Sequence, residues 1–174
     1  VTGGSGFIGS ALIRKLLKET NFKVYNLDKL GYASVTKESM QYEKSSQYQI
    51  LNIDLFNEVD TKKAIEISNP DLVFHLAAES HVDKSIFGPK KFLESNVIGT
   101  YNLLQELLKH WELLPELRKS YFRILHVSTD EVFGSLDHKA SLSQALESPF
   151  ALLSLFPFSL NQHETDFQAI HQQL

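Results

Sequence analysis

Short apolar runs along the chain alternate with segments in which apolar residues recur at helical spacing. The runs predicted as β-strands cover residues 23–30, 48–55, 71–78 and 121–128, after the end of an earlier strand at Val1 and Thr2. The segments predicted as helices cover residues 7–19, 57–68 and 89–113. Strands that alternate with helices indicate right-handed βαβ units. The pattern therefore predicts an α/β fold with a doubly wound parallel sheet.

The pattern changes near residue 138. Residues 140–174 contain no Lys, Arg or Tyr, and all 17 basic residues of the chain lie before them. Apolar residues remain frequent there, but they follow the helical spacing only weakly. We therefore predict an α/β domain over 1–138 and an atypical tail over 139–174, either weakly ordered or read in a shifted frame.

Composition narrows the class of protein. The net charge of −4 leaves no basic stripe for phosphates, so we expect no nucleic-acid partner. No apolar run approaches the roughly 18 residues of a membrane span, so we expect no membrane association. The absence of cysteine excludes disulfides and cysteine metal sites and favours the cytoplasm. We predict no metal site. The start at Val1, without Met or a basic leader, suggests that residues are missing before it.

The stretch "TGGSGFIGS" places three glycines where the first strand gives way to the first helix. Gly3 permits a tight turn, Gly6 lets a pyrophosphate approach the backbone, and Gly9 lets the helix pack closely on the strand. Phe7 and Ile8 begin the helix, whose free N–H groups attract phosphates. We interpret this spacing, G-x-x-G-x-x-G, as a variant of the Rossmann-type dinucleotide fingerprint. A tight strand–helix turn without a ligand is the alternative.

Acids follow the next two strands. Asp28 lies 19 residues after Gly9, where an acid accepts hydrogen bonds from the adenosine ribose and repels a 2′-phosphate. We therefore predict NAD rather than NADP as cofactor, with Lys29 beside it. Ile53 and Asp54 end the third strand and are predicted to contact the adenine, although Asp54 as a helix N-cap is an equal alternative.

Two further strand ends carry candidate chemistry, because ligands of open α/β sheets sit outside the carboxyl ends of the strands. At the first, small residues allow a ligand against the backbone and polar residues follow; these residues are Leu76, Ala77, Ala78, Ser80 and His81. An exposed loop histidine is the alternative for His81. His75 and His126 lie within strands and are predicted to be core histidines.

The second strand end is Thr129-Asp130-Glu131. Two neighbouring carboxyls in one site repel each other, which separates their protonation behaviour and permits one acid and one base. A solvated turn with an N-capping acid is the alternative. We expect the three residues to share a pocket with Gly6, Asp28 and Ala77 along its rim.

Together these stretches resemble a known family. The matching blocks are "VTGGSGFIGS", "LDKLGYA", "HLAAESHVDKSI", "ESNVIGTYNLL" and "HVSTDEVFGS". They closely resemble the dTDP-glucose 4,6-dehydratases, which are extended short-chain dehydrogenases/reductases. The resemblance covers about residues 1–138 and implies bound NAD, dTDP-glucose as substrate and a homodimer.

The resemblance also implies roles for residues. Bound NAD⁺ would accept a hydride from C4 of the glucose, and Thr129 would form a hydrogen bond with the C4 oxygen. Glu131 would take the C5 proton and Asp130 would protonate the departing C6 hydroxyl, after which the hydride returns to C6. The residues expected near the sugar are Ser80 and His81, and those expected near the nicotinamide are Asn96 and Thr100.

The sequence departs from the family downstream. The family oxidises C4 with a Tyr-x-x-x-Lys pair, but no Tyr follows Tyr121 and no Lys follows Lys139. The remaining strands, the substrate domain and part of the dimer interface are also absent, so we interpret the chain as an incomplete Rossmann-type domain that is inactive alone. The alternatives are a UDP-sugar 4,6-dehydratase and a non-catalytic NAD-binding module.

Overall fold

The computed structural model describes residues 1–31, 34 and 45–128, together with the backbone of residues 153–156; the side chains of residues 82–84 are not described. Its strands are β1 (Val24–Asp28), β2 (Tyr48–Asn52), β3 (Leu72–His75), β4 (Arg123–Val127) and β5 (Leu153–Phe156). Its helices are α1 (Phe7–Glu19), α2 (Glu58–Ser68), α3 (Val82–Phe87), α4 (Pro89–Phe92), a π-helical turn (Leu93–Gly99), α5 (Thr100–Leu113) and α6 (Glu116–Tyr121).

The strands form one sheet around the short segment at Val1 and Thr2. β1 pairs in parallel with β2, and β3 pairs in parallel with β4. Thr2 joins the two pairs, because it bridges Leu27 of β1 and His75 of β3, both in parallel. The spatial order is therefore β2, β1, the Val1–Thr2 segment, β3 and β4. The predicted parallel sheet is confirmed.

β5 was not predicted. It pairs antiparallel with β4 at the edge of the sheet, with Leu125 opposite Leu155. A four-residue strand gives too short an alternation to be recognised in a sequence. The pairing with β4, a contact between distant parts of the chain, determines its position.

Apolar residues cover the sheet on both faces. One core cluster joins the strands to α2 and α5 and contains Leu27, Leu55, Ala64, Ile65, Val73, Leu103, Leu107, Leu114, Phe122 and Ile124. A second cluster joins the strands to α1 and contains Ile13, Val24 and Tyr48. Because successive strand residues point to opposite faces, Val24 and Leu27 of β1 fall in different clusters. The doubly wound architecture is confirmed.

The ends of α2 follow from local chemistry. Asn57 caps its N-terminus, since the side-chain oxygen accepts from the N–H groups of Val59 at 3.0 Å and Asp60 at 3.2 Å. Asn69 ends it in the left-handed conformation, with φ of 41°. The N-cap role considered for Asp54 is therefore wrong. Its Oδ1 accepts instead from the N–H of Phe56, at 3.0 Å.

The segment predicted as one helix over 89–113 is helical but not uniform. The π-helical turn separates α4 from α5, and π turns occur often at functional sites. Gly99 closes this turn against Leu55, and a Cβ at Gly99 would lie 3.2 Å from the Leu55 Cβ. The turn contains Asn96, whose side chain contacts the loop after β3.

The described helices are short. α1 contains 13 residues and α5 contains 14. A helix that crosses a bilayer needs about 20 predominantly apolar residues. Among the residues that the structure describes, no helix has both the length and the apolar character for that.

Candidate functional site

A cleft opens where the strand order reverses. From the Val1–Thr2 segment the chain passes through α1 to β1 on one side, whereas β3 lies on the other side. Connections that leave neighbouring strands in opposite directions leave a crevice at the carboxyl ends of those strands. Two segments face each other across this crevice: residues 3–9, which we call the glycine turn, and residues 76–80, which we call the β3 loop.

Backbone packing requires glycine at two positions of the glycine turn. Gly3 has φ of 66°, and a Cβ there would lie 2.7 Å from the backbone N of Ala77 in the β3 loop. A Cβ on Gly9 would overlap the carbonyl oxygen of Gly3 and lie 2.7 Å from the Cα of Gly4. The turn therefore packs tightly against both the β3 loop and the first turn of α1.

The N-terminus of α1 opens into the cleft. The cap residue Gly6 provides no side-chain hydrogen bond, and the first turn contains no acidic residue. Phe7 and Ile8 are exposed and line the cleft. Since the positive end of the helix dipole is not neutralised by a local acid, this position suits an anion such as a pyrophosphate.

Asp28 at the end of β1 forms the floor beside the glycine turn. Its carboxylate accepts from the N–H of Ser5 at 2.9 Å and from the N–H of Leu30 at 2.8 Å. The Ser5 hydroxyl in turn accepts from the Asn26 side chain at 3.0 Å, which also donates to the hydroxyl of Tyr48 at 3.0 Å. These bonds orient the carboxylate, and its remaining lone pairs are available to ribose hydroxyls.

The cleft has a volume of about 460 Å³. Its lining consists of Gly3, Gly6, Phe7, Ile8, Gly9, Leu27, Asp28, Lys29, Gly31, Ser34, Ile53, Asp54, Leu55, Leu76, Ala77, Ala78, Glu79, Ser80, Ser95 and Val127. The residues predicted from the sequence to contact the cofactor all line this cleft, with the exception of Asn96 and Thr100, which were expected near the nicotinamide. Of the two predicted near the sugar, Ser80 lines the cleft, whereas His81 is exposed and does not.

Thr100 lies behind the cleft, in contact with a buried histidine. Its hydroxyl is 3.0 Å from Nε2 of His75, whose Nδ1 is 2.6 Å from the hydroxyl of Thr2. The Thr2 hydroxyl also accepts from the N–H of Ala77 at 3.2 Å. We assign the neutral tautomer in which Thr2 donates to Nδ1 and Nε2 donates to Thr100. The hydrogen bonds among Thr2, His75 and Thr100 therefore support both the glycine turn and the β3 loop.

His75 is a core histidine, as predicted. It is 1% exposed, and its ring stacks on that of His126 at 5.0 Å between centroids. Burial, with a smaller effect from His126, lowers the pKa of His75 from 6.5 to about 4. Burial also lowers the pKa of His126. The ring of His75 is thus neutral near pH 7.

Glu79, which the sequence analysis did not single out, lines the cleft, and Asn96 contacts Glu79. Glu79 forms an ion pair with Lys29 across the cleft, with 2.7 Å between Oε1 and Nζ. Asn96, predicted only near the nicotinamide, accepts from the N–H of Glu79 at 2.8 Å and donates to its carbonyl at 2.9 Å. An acid directly after two alanines at a strand end was the available signal for Glu79. Nothing in the sequence pairs Asn96 with it.

Thr129, Asp130 and Glu131 lie outside the described residues. β4 runs parallel to β3, so its carboxyl end lies at the same edge of the sheet as the β3 loop. Val127, the last residue of β4, lines the cleft, and the following Ser128 is exposed. The chain therefore leaves the sheet toward Thr129 at the edge where the cleft opens.

The sheet, the glycine turn and the position of the cleft define a Rossmann-type dinucleotide-binding fold. A family model described as GDP-mannose 4,6 dehydratase matches residues 1–151, and the chain belongs to this family. The match continues past residue 138, where the sequence pattern changes.

Two curated relatives carry the same name. The chain is 40% identical over 171 residues to dTDP-glucose 4,6-dehydratase of Salmonella typhimurium, a match that covers 95% of this chain and 47% of that protein. It is 46% identical over 143 residues to dTDP-glucose 4,6-dehydratase of Escherichia coli, covering 82% of this chain and 40% of that protein. The chain thus spans about half the length of the curated relatives it matches.

Solved structures agree with the sequence comparison. The dTDP-glucose 4,6-dehydratase of Streptomyces venezuelae, crystallised with NAD, superposes with a TM-score of 0.67 at 35% identity, covering 80% of this chain and 42% of that one. The enzyme of the same name from Bacillus anthracis, also in complex with NAD, gives a TM-score of 0.65 at 28% identity and covers 86% of this chain and 42% of that one.

Proposed function

We propose that the cleft binds NAD. The glycine turn and the N-terminus of α1 hold the pyrophosphate, and the Asp28 carboxylate accepts from the adenosine ribose hydroxyls. Ile53 and Asp54 flank the adenine. The observation that carries the proposal is the cleft itself, because it places an uncapped helix N-terminus, two sterically required glycines and a fixed carboxylate around one space. The NAD in the related structures supports it.

We further propose that the chain is the cofactor-binding part of a dTDP-glucose 4,6-dehydratase. NAD, when bound, supplies the hydride acceptor for C4 of the sugar. Thr129 donates to the C4 oxygen, Glu131 removes the C5 proton that the C4 ketone acidifies, and Asp130 protonates the departing C6 hydroxyl. Positioned groups of this kind each contribute roughly 10²–10⁴-fold to a rate. The names of the relatives and the exit of β4 at the cleft support this assignment.

We also propose an assembly, a compartment and a division of the chain into two segments. We retain the division into a domain over 1–138 and a tail over 139–174, a homodimer as the assembly, and the cytoplasm as the compartment. In this scheme Thr100 contributes to the nicotinamide side of the site through its contact with His75. Ser80 and His81 contact the sugar.

The cofactor is tested by titrating the purified chain with NAD⁺ and with NADP⁺. We expect saturable binding of NAD⁺ and affinity for NADP⁺ at least about tenfold weaker, because the Asp28 carboxylate repels a 2′-phosphate. Asp28→Ala should narrow that difference. Equal affinity of the unchanged protein for the two cofactors would contradict the role of Asp28.

The reaction is tested by incubating the chain with dTDP-glucose and NAD⁺ and following the 4-keto sugar. We expect no turnover, because the sequence has no Tyr-x-x-x-Lys pair after residue 121 to accept the C4 hydroxyl proton. Turnover at the rate of a relative of full length would show that this pair is replaceable. Binding of dTDP-glucose to the chain with NAD⁺ present would support the substrate independently of turnover.

A further inference from the structure

The ion pair between Lys29 and Glu79 spans the cleft. Lys29 follows Asp28 at the end of β1, whereas Glu79 belongs to the β3 loop. The Nζ and Oε1 atoms are 2.7 Å apart, and the two side chains are 39% and 15% exposed. The pair is therefore only partly shielded from water, and the carboxylate is the more enclosed partner.

Glu79 is the member of the pair whose backbone is held by side-chain hydrogen bonds. Asn96 holds its backbone on both sides, accepting from the N–H at 2.8 Å and donating to the carbonyl at 2.9 Å. Lys29 has a long, flexible side chain, and its ammonium can move to another anion at low cost. Glu79 thus determines where the Lys29 ammonium lies.

The charges around the cleft are unbalanced. The charged residues among the described lining are Asp28, Lys29, Asp54 and Glu79, that is, three acids and one base. A neighbouring hollow of about 820 Å³ shares Lys29, Asp54 and Glu79 with the cleft, so there is space for an additional phosphate near the ion pair. Discrimination against a phosphate at this place therefore depends on charge and not on size.

We propose that Glu79 is a specificity-determining residue, which keeps the Lys29 ammonium from pairing with the 2′-phosphate of NADP. The inference rests on the proposed binding of NAD in the cleft. A lysine is an effective phosphate ligand when its charge is free. In this cleft Glu79 neutralises that charge, so Lys29 does not offset the repulsion between Asp28 and a 2′-phosphate. Selectivity for NAD is thus a property of both walls of the cleft.

The test compares Kd for NAD⁺ and NADP⁺ among single and double variants. In Glu79→Gln, affinity for NADP⁺ should increase about five- to tenfold at low salt, while affinity for NAD⁺ changes less than about threefold. In Lys29→Met, affinity for NADP⁺ should decrease, because Glu79 is left unneutralised. In the double variant most of the gain from Glu79→Gln should disappear. Glu66→Gln, which removes the partner of Lys62 on α2 at 3.9 Å, is the matched control and should change neither Kd.

The outcomes separate the inference from the proposal on which it rests. If the unchanged chain is folded by circular dichroism but does not bind NAD⁺, the proposed cofactor is wrong. If it binds NAD⁺ and Glu79→Gln leaves the ratio of the two Kd values unchanged, the role of Glu79 is wrong. If the double variant gains as much affinity for NADP⁺ as Glu79→Gln does, Lys29 has no role in the discrimination. Should Glu79→Gln fail to fold, Lys29→Met decides, and an unchanged ratio there overturns the inference.

Discussion

The glycine turn and the β3 loop face each other across the cleft, yet different interactions hold their shapes. Backbone packing defines the glycine turn, since Gly3 and Gly9 lie where a Cβ would collide with neighbouring backbone atoms. Side-chain hydrogen bonds from Asn96, 17 residues away, hold the β3 loop at Glu79. The first arrangement can be recognised in a short motif. The second depends on a contact that only the folded chain creates.

The two segments share one support beneath the cleft. The Thr2 hydroxyl binds His75 in β3 and also accepts from the N–H of Ala77 in the β3 loop. Thr2 directly precedes the glycine turn. A change at this support should therefore affect both sides of the cleft, whereas changes at Gly9 or Asn96 should affect one.

The largest expected effect comes from Gly9→Val, which breaks the glycine turn. The new side chain would collide with the backbone of Gly3 and Gly4, and overpacking of this kind costs about 3 kcal/mol of unfolding free energy. Displacing the turn from α1 should also abolish NAD⁺ binding. Urea unfolding measures the first effect and calorimetric titration the second.

Gly31→Ala is the control for that change. A Cβ at Gly31 would meet only the Lys29 side chain, at 3.9 Å, which is ordinary contact. Its effect on unfolding should stay within about 0.5 kcal/mol. If Gly9→Val were equally mild, close packing would not be what shapes the turn.

The shared support should make stability depend on pH. The pKa of His75 is lowered to about 4 in the folded chain, whereas an unfolded histidine titrates near 6.5. Between these values the unfolded chain binds a proton that the folded chain does not. The free energy of unfolding should therefore fall as the pH decreases from about 6.5 to about 4, by on the order of 2–3 kcal/mol.

His75→Asn isolates this contribution. Urea unfolding at several pH values should give a shallower dependence for the variant in the window between 6.5 and 4, because the protonation that opposes folding has been removed. Titrating groups that do not contact His75 act equally in both proteins, and His126, which stacks on His75, contributes to the slope of each. The same slope in variant and parent would show that the ring is not excluded from protonation in the folded chain.

Asn96→Ala should destabilise the β3 loop. Its effect on the free energy of unfolding should be smaller than those of Gly9→Val and of His75 protonation. The variant loses both hydrogen bonds to Glu79, which corresponds to about 1–2 kcal/mol of unfolding free energy. It should also weaken NAD⁺ binding severalfold while leaving the glycine turn intact.

Asn57→Ala is the matched control, since it loses two side-chain hydrogen bonds at the start of α2, away from the cleft. It should cost about 1 kcal/mol with unchanged affinity for NAD⁺. Equal affinities for the two variants would contradict a role of Asn96 in the cleft.

Much of the fold could be predicted from the sequence because local rules determine it. The alternation of apolar runs and helical spacing locates β1 to β4, α1 and α2. Boundaries were less accurate: the third predicted strand extended to residue 55, but β2 ends at Asn52. β5 and the π-helical turn were missed, because one depends on pairing with β4 and the other interrupts an otherwise continuous helical pattern.

The residues of the candidate site also fall into two groups: those that the sequence predicts and those that only the folded structure shows. Gly3, Gly9 and Asp28 could be found because motif spacing reflects the geometry of a strand–turn–helix unit. Glu79 was missed and Asn96 was assigned without its partner, since their interaction joins two elements whose proximity the sequence pattern does not encode. His75 was predicted as core, but its link to Thr2 and Thr100 follows only from the packing of three elements.

Hydrogen exchange of the chain with and without NAD⁺ tests the central claim most directly. If the cofactor lies between the glycine turn and the β3 loop, amides of residues 5–8 and 76–79 should exchange more slowly with NAD⁺ present. Amides at the opposite edge of the sheet, at Val24 and Leu72, should change no more than those of the core. Protection at that opposite edge, or none in either segment despite measurable binding of NAD⁺, would contradict the account.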